Sequence, residues 1–487
     1  MGSPNTKAKV NFMPKSSWIN SIGSSKTFTL MLGAALSASV YAVLPGSSDS
    51  AKIMLALLVL SVFYWTFEPL PLGVTAVLLL VLMLLFKIVT MDIIFSGFSS
   101  PAIFLIIGGM MLARGVNDTP LAKRLAYLIL AKWAGTAKGL LASILLIPQV
   151  QAFFIPAVAV RATLILPVAL MALDHIGVKK DGNLRKMILL GVAFGGTISG
   201  TIVMTAAIGN ILTVELLKQF LGIQITYLQW FMYTVPIWLL LIPLSWLVLI
   251  KSFPLPKENE EFHHLKEEMD KKLKELGTIN TDEKKCIGIL ILIVCLWFTE
   301  PLHGIHPSIP TLIGVILMAF PGVGCSKWDN MVKINFDTIL IMGVTLSLGY
   351  AFNQSGAAEL VGATLSAGWI IDLLRSPLTG VASILIITQI LHLAVANVST
   401  AVVTLIPIFI GLSGKAGADP VLICLTASLA CLHGYILVVE ATPNIIVHST
   451  GQIQQKEFII PGIYMTIIMM IVTILTAVTW WNWIGFL

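Results

Sequence analysis

Arg161 sits in the run Val158-Ala159-Val160-Arg161-Ala162-Thr163-Leu164-Ile165-Leu166, where Thr163 is the only other polar side chain. A guanidinium inside hydrocarbon costs a few kcal/mol or more, so it must meet water, an acid or an anionic ligand. Two arrangements answer that need. One is a structural ion pair with Glu215 or Glu440. The other is a ligand carboxylate gripped by two parallel N–H donors, favoured because Arg161 begins a helical arm just after a turn. The polar groups nearby are small: Thr205, Asn210, Asn397, Ser399, Thr400, Thr442 and Asn444. Singly, such residues are helix–helix contacts in a membrane protein. Clustered at chain breaks, they read as hydrogen-bond groups for a ligand. His448, just past Thr442-Pro443-Asn444, offers a second cationic contact, while His392 and His433 read as structural. No catalytic constellation, nucleotide loop or metal-ligand cluster accompanies them. Gly195-Gly196 precedes no P-loop lysine and follows no strand. The chemistry is anion binding, with no enzyme activity, cofactor or metal expected.

The elements that hold these residues must lie in lipid. Of 487 residues, 57% are hydrophobic and 11% charged, against roughly 25% charged in a soluble domain. Mean hydropathy is +0.93. A water-soluble chain could not hide that much apolar surface. The net charge of +6 does not indicate nucleic acid, because the basic residues fall between apolar runs rather than on one face. Five cysteines, all in the second half and without a C-x-x-C pair, read as small hydrophobes. The segment Thr27–Leu44 contains Val40-Tyr41-Ala42, loosely like a cleavage site, but the many apolar runs after it favour a retained first helix.

Apolar runs of membrane-spanning length fall at about 27–45, 51–67, 70–88, 100–115, 187–217, 228–250, 286–300, 308–325, 336–352, 420–450 and 457–485. Two more, 139–173 and 379–412, would each be about 52 Å long as straight helices, far beyond the ~30 Å core. Both carry breakers midway and are expected to fold back as re-entrant hairpins. The runs 187–217 and 420–450 are also too long, and are interrupted at Gly195–Thr201 and at Glu440–Asn444. The halves resemble each other: Trp65-Thr66-Phe67-Glu68-Pro69-Leu70 answers Trp297-Phe298-Thr299-Glu300-Pro301-Leu302, Ala113–Thr119 loosely answers Ala351–Ala357, and Asn210 answers Asn444. The expected fold class is an all-α polytopic membrane protein. It has about eleven transmembrane helices and two re-entrant helical hairpins in an inverted-topology repeat of five helices plus a hairpin each. The expected boundaries are a cytoplasmic tail 1–26, an extra helix 27–45, a first repeat 46–250, a solvated linker helix 251–285 and a second repeat 286–487. With the N-terminus cytoplasmic and the C-terminus outside, inner segments hold 24 lysines and arginines and outer ones 5. Lys123, Arg124 and Lys132 among leucines mark 119–135 as an amphipathic helix on the inner surface.

The joint order of these features resembles the divalent anion:sodium symporter family over nearly the whole chain. It rests on the inverted repeat, the tips Arg161-to-Pro167 and Asn397-to-Pro407, and the Thr442-Pro443-Asn444 break. The resemblance implies an elevator-type homodimer that carries dicarboxylates of the succinate, malate, fumarate and 2-oxoglutarate class across the plasma membrane. It implies substrate contacts from the hairpin tips, where the family typically has Ser-Asn-Thr. Aligned on Pro167 this chain has Ala157-Val158-Ala159, and aligned on Pro407 it has Asn397-Val398-Ser399. Arg161 resembles the arginine of the family's antiporter branch. The resulting expectation is sodium-independent obligate exchange, with Arg161 in place of a sodium charge; the alternative is a sodium-coupled di- or tricarboxylate symporter.

Overall fold

A computed structural model describes residues 26–44, 48–255, 261–364, 368–395 and 398–486. The expected tail falls almost entirely outside the described residues, as does Asn397. Every described element is a helix or a turn, with no strand among the described residues. Among the described residues, eight helices are long and apolar enough to cross a membrane. The expectation of about eleven differs for a physical reason. The runs 70–88 and 308–325 shorten to Leu72–Leu85 and Ser308–Ala319, bounded by Pro71 and Pro307 before them. Conversely, two of the eight, Val158–His175 and Val398–Ala416, are second arms of the expected hairpins. Apolar side chains such as Leu239, Ile460, Ile467 and Leu475 are exposed, as lipid-facing positions should be. This is a multi-pass membrane protein.

Both overlong stretches are interrupted midway, the first by a turn at 152–154 and the second at 396–397, which lie outside the described residues. The first hairpin runs Ala137–Gln151, a turn, then Val158–His175. The second pairs Pro377–Ala394 with Val398–Ala416. Both interrupted spans break as their glycines, proline and polar side chains suggest. Asn183–Ser199 unwinds through a short turn at Met204–Ala206 and restarts as Ile208–Leu221. Pro420–Leu432 unwinds through Val438–Glu440 and restarts as Thr442–His448. Unwound carbonyls inside a bilayer need donors from the protein itself. Asn210 Nδ2 donates to Gly200 O (2.8 Å) and Val203 O (3.2 Å). Asn444 Nδ2 donates to Gly434 O and Leu437 O, both at 3.1 Å. The two breaks are thus built alike, each asparagine reaching ten and seven residues back. Two glutamines pin the first arm of each hairpin to a broken segment. Gln149 Nε2 donates to Gly195 O (2.9 Å) and Gln389 Nε2 to Ala430 O (2.7 Å).

The linker is not simply solvated. Its helix Glu261–Glu275 buries Phe262, Leu265 and Met269 and packs on the surface helix Leu121–Trp133. Arg124 of that surface helix is the clamp. Its Nε and Nη2 donate to Glu283 Oε1 (2.6 Å) and Oε2 (2.9 Å), and its Nη1 donates to Gly277 O (2.8 Å). Both side chains are buried. Removing one partner strands the other charge, which costs about 3–5 kcal/mol. Glu283→Ala should therefore lower the thermal midpoint of the detergent-solubilised protein by several degrees, and an Arg124→Met/Glu283→Met double variant should recover most of the loss.

Candidate functional site

A cavity of about 590 Å³ opens where the two hairpin tips meet the two breaks, within the usual size range of small-molecule sites. Its wall is formed by the starts of four helices. Ala157-Val158-Ala159 begins Val158–His175, Ala207-Ile208-Gly209 begins Ile208–Leu221, Val398-Ser399 begins Val398–Ala416, and Ala441-Thr442-Pro443 begins Thr442–His448. A helix start carries N–H groups with no intrahelical acceptor and the positive end of the dipole. A Ser, Thr, Asp or Asn cap normally satisfies one of them. Here the cap residues are Ala157, Ala207 and Ala441, with no side-chain cap bond at any of the three. No side chain caps the first-turn N–H groups of Val158, Ala159, Ile208, Gly209 and Thr442, Pro443 having none to offer, and a surface of such groups attracts an anion. Among the described residues, no carboxylate lines the cavity.

Glycines allow the four elements to come this close. A Cβ on Gly200 would meet Val158 Cγ2 of the first tip at 3.1 Å and Leu432 Cδ1 of the second break at 3.2 Å. One on Gly209 would meet Val398 Cγ1 of the second hairpin at 3.0 Å. The first tip is also strained, because Ala157 holds φ 77° and ψ 110°, a conformation that costs a non-glycine residue about 1–3 kcal/mol.

Of the residues expected at the site, Ala157, Val158, Ala159, Val398, Ser399, Thr442 and Pro443 line the cavity. Asn210 and Asn444 lie one turn behind it as the carbonyl braces already described. Thr205 is buried with its hydroxyl 3.4 Å from that of Tyr227. Thr400 is buried off the wall and His448 is half-buried away from it. His392 and His433 bond backbone carbonyls, at Val395 and Leu429.

Arg161 is the main correction. It is fully buried and does not line the cavity. Nor does it pair with either acid considered for it. Glu215 accepts from Ser100 Oγ (2.7 Å) and Glu440 from the Ile436 N–H (3.0 Å). Arg161 Nη1 donates to Ile155 O (2.6 Å), Nη2 to Ala206 O (2.9 Å) and Nε to Ser199 Oγ (2.9 Å). The guanidinium ties the first hairpin tip to the first break through carbonyl oxygens. Its geometry is that of a cation among carbonyls rather than of a ligand clamp. The sequence indicated that Arg161 needed a partner but not that local carbonyls would serve. Thr197, Ala207, Ile208 and Gly209 of the wall were missed because three of them offer only backbone. Arg114, Asn117, Asn335 and Thr338 also line the cavity and were missed, although Arg114 carries a charge inside an apolar run.

Residues 27–487 match the family model described as the sodium:sulfate symporter transmembrane region. The chain belongs to the sodium:sulfate symporter family. Among its relatives is a membrane protein of Cupriavidus necator, 25% identical over 80% of this chain and 76% of that one. The sodium-dependent dicarboxylate transporter SdcS of Staphylococcus saprophyticus is 24% identical over 88% of this chain and 86% of its own. The protein of the same name from Staphylococcus aureus is 24% identical over 85% and 83%. Membership makes the chain a transporter and not an enzyme. These names favour the sodium-coupled alternative over the sodium-independent exchange expected from the tips.

Filling one open helix start from within should compete with the ligand. Ala207→Asp places a cap carboxylate on the first-turn N–H groups of Ile208–Leu221, which stabilises a helix by about 1 kcal/mol. The variant should keep its thermal midpoint and lose anion binding, measured by ligand-induced thermal shift. Ala157→Gly should raise the midpoint by relieving the strain at φ 77°.

Proposed function

We propose that this protein carries four- and five-carbon dicarboxylates across the plasma membrane, coupled to sodium. The observation that carries the anion reading is the wall of helix starts whose caps are alanine. A dicarboxylate has two ends, and the cavity offers donor sets from both halves of the chain to meet them. Sodium coupling is supported by the names of the relatives. It is also supported by three buried oxygens at the breaks that lack a donor among the described residues: Asn210 Oδ1, Asn444 Oδ1 and Glu440 Oε1. Each amide must turn its Nδ2 toward two carbonyls, so its oxygen is left to face a cation. A co-transported cation would offset the charge of a divalent anion before both enter a low-dielectric path.

The matching breaks support an inverted repeat, with both hairpins and both broken segments in one moving body. The fixed body comprises the helices within 49–117 together with Ser308–Ala319 and Phe336–Gln354. The cavity lies between the two bodies, as an elevator requires. The lysine and arginine bias supports a cytoplasmic N-terminus and an external C-terminus. The cavity mouth at Arg114 and Asn335 then faces inward. The family resemblance supports a homodimer.

A second reading keeps obligate exchange, because Arg161 already places one fixed cation among the carbonyls of the first break. An empty carrier with an immobile charge would return slowly. Proteoliposomes decide between the two. Sodium-coupled transport gives net succinate uptake that requires an inward sodium gradient and no internal substrate. Uptake that occurs only against preloaded dicarboxylate, whatever the sodium, would replace it with exchange. Arg161→Ala should abolish transport in either case, since hairpin tip and break lose their tie.

A further inference from the structure

Among the described residues, Arg114 is the one charged side chain lining the cavity. It lies in the last turn of Pro101–Asn117, on the fixed body, and is exposed. Asn117, Asn335 and Thr338 also line the cavity, Asn117 lying three residues on from Arg114 in the same helix. An arginine at a helix C-terminus has an ordinary explanation, because it complements the dipole. Two observations go beyond that. First, no acid pairs with Arg114 at ion-pair distance among the described residues. The acid one turn on, Asp118, is engaged elsewhere: its Oδ2 accepts from Ser326 Oγ (2.5 Å) and Asn330 Nδ2 (3.1 Å). Second, the position is not a structural requirement of the repeat. Its counterpart in the second half, on the match of Ala113–Thr119 with Ala351–Ala357, is the buried Phe352.

We infer that Arg114, with the amides of Asn117 and Asn335 beside it, forms a docking subsite for one carboxylate of the dicarboxylate at the inner mouth of the cavity. This inference rests on the carrier reading above. The helix starts travel with the moving body and hold the ligand at either face. Arg114 stays with the fixed body and so meets the ligand on one side only. Two consequences follow. The subsite acts on ligand arriving from or leaving to the cytoplasm. It favours a second carboxylate, because a monocarboxylate held at the helix starts has nothing left to present to it. The contact is solvent-accessible, so its strength is that of a screened ion pair and falls with ionic strength.

The test is sided transport by the full-length protein in proteoliposomes of known orientation, with succinate as probe at low and high salt. Arg114→Gln should raise the inner half-saturating succinate concentration about fivefold relative to the outer one. High salt should shrink the difference, and Arg114→Lys should restore most of it. Propionate, with a single carboxylate, should bind the wild type and the variant alike. Equal inner half-saturation in Arg114→Gln and wild type, or an equal shift from both sides, overturns the subsite and leaves the carrier reading intact. Absence of any dicarboxylate flux in the wild type overturns the carrier reading, and the subsite with it.

Discussion

A helix that ends inside a bilayer leaves peptide groups with no water to satisfy them. This chain ends helices there at two hairpin turns and two breaks, and it treats the two kinds of exposed group differently. The carbonyl ends are met by side chains: Asn210, Asn444, Gln149, Gln389 and Arg161 each donate to freed or neighbouring carbonyl oxygens. The N–H ends receive no side-chain cap at Ala157, Ala207 and Ala441. The proposed anion site rests on that imbalance, and so on backbone rather than on a ring of charged side chains.

The two halves solve the carbonyl problem almost identically, and their one clear departure is informative. Arg161 bridges the first tip and the first break, whereas the residue aligned with it on Pro167 and Pro407 is Ala401, which is fully buried. On the second side, Glu440 stands three residues beyond Leu437, whose carbonyl Asn444 braces, and keeps one oxygen without a donor. Both halves keep a spare amide oxygen, at Asn210 and Asn444; the first half adds a built-in cation and the second a carboxylate oxygen.

Much of the architecture was legible in the chain. Run lengths against bilayer thickness, with breakers midway, located the interruptions of all four overlong runs. The limits were equally physical. Length and hydropathy cannot separate a full span from a hairpin arm, as Val158–His175 and Val398–Ala416 show. Polarity in the linker read as solvation, yet three apolar side chains on one face dock it on the surface helix. At the site, three of the predicted side chains, Arg161, Asn210 and Asn444, turned out to be braces behind the wall, because a polar group at a break serves freed carbonyls as readily as a ligand.

The sequence by itself determined that this protein lives in lipid and interrupts its overlong apolar runs, since apolar length and the placement of glycine, proline and asparagine are local properties. Only the tertiary structure decided what Arg161 and the alanine caps do. A guanidinium satisfied by carbonyls looks the same in one dimension as one awaiting a carboxylate. The donors of a backbone site carry no side-chain signature until four separate helix starts are brought to one cavity.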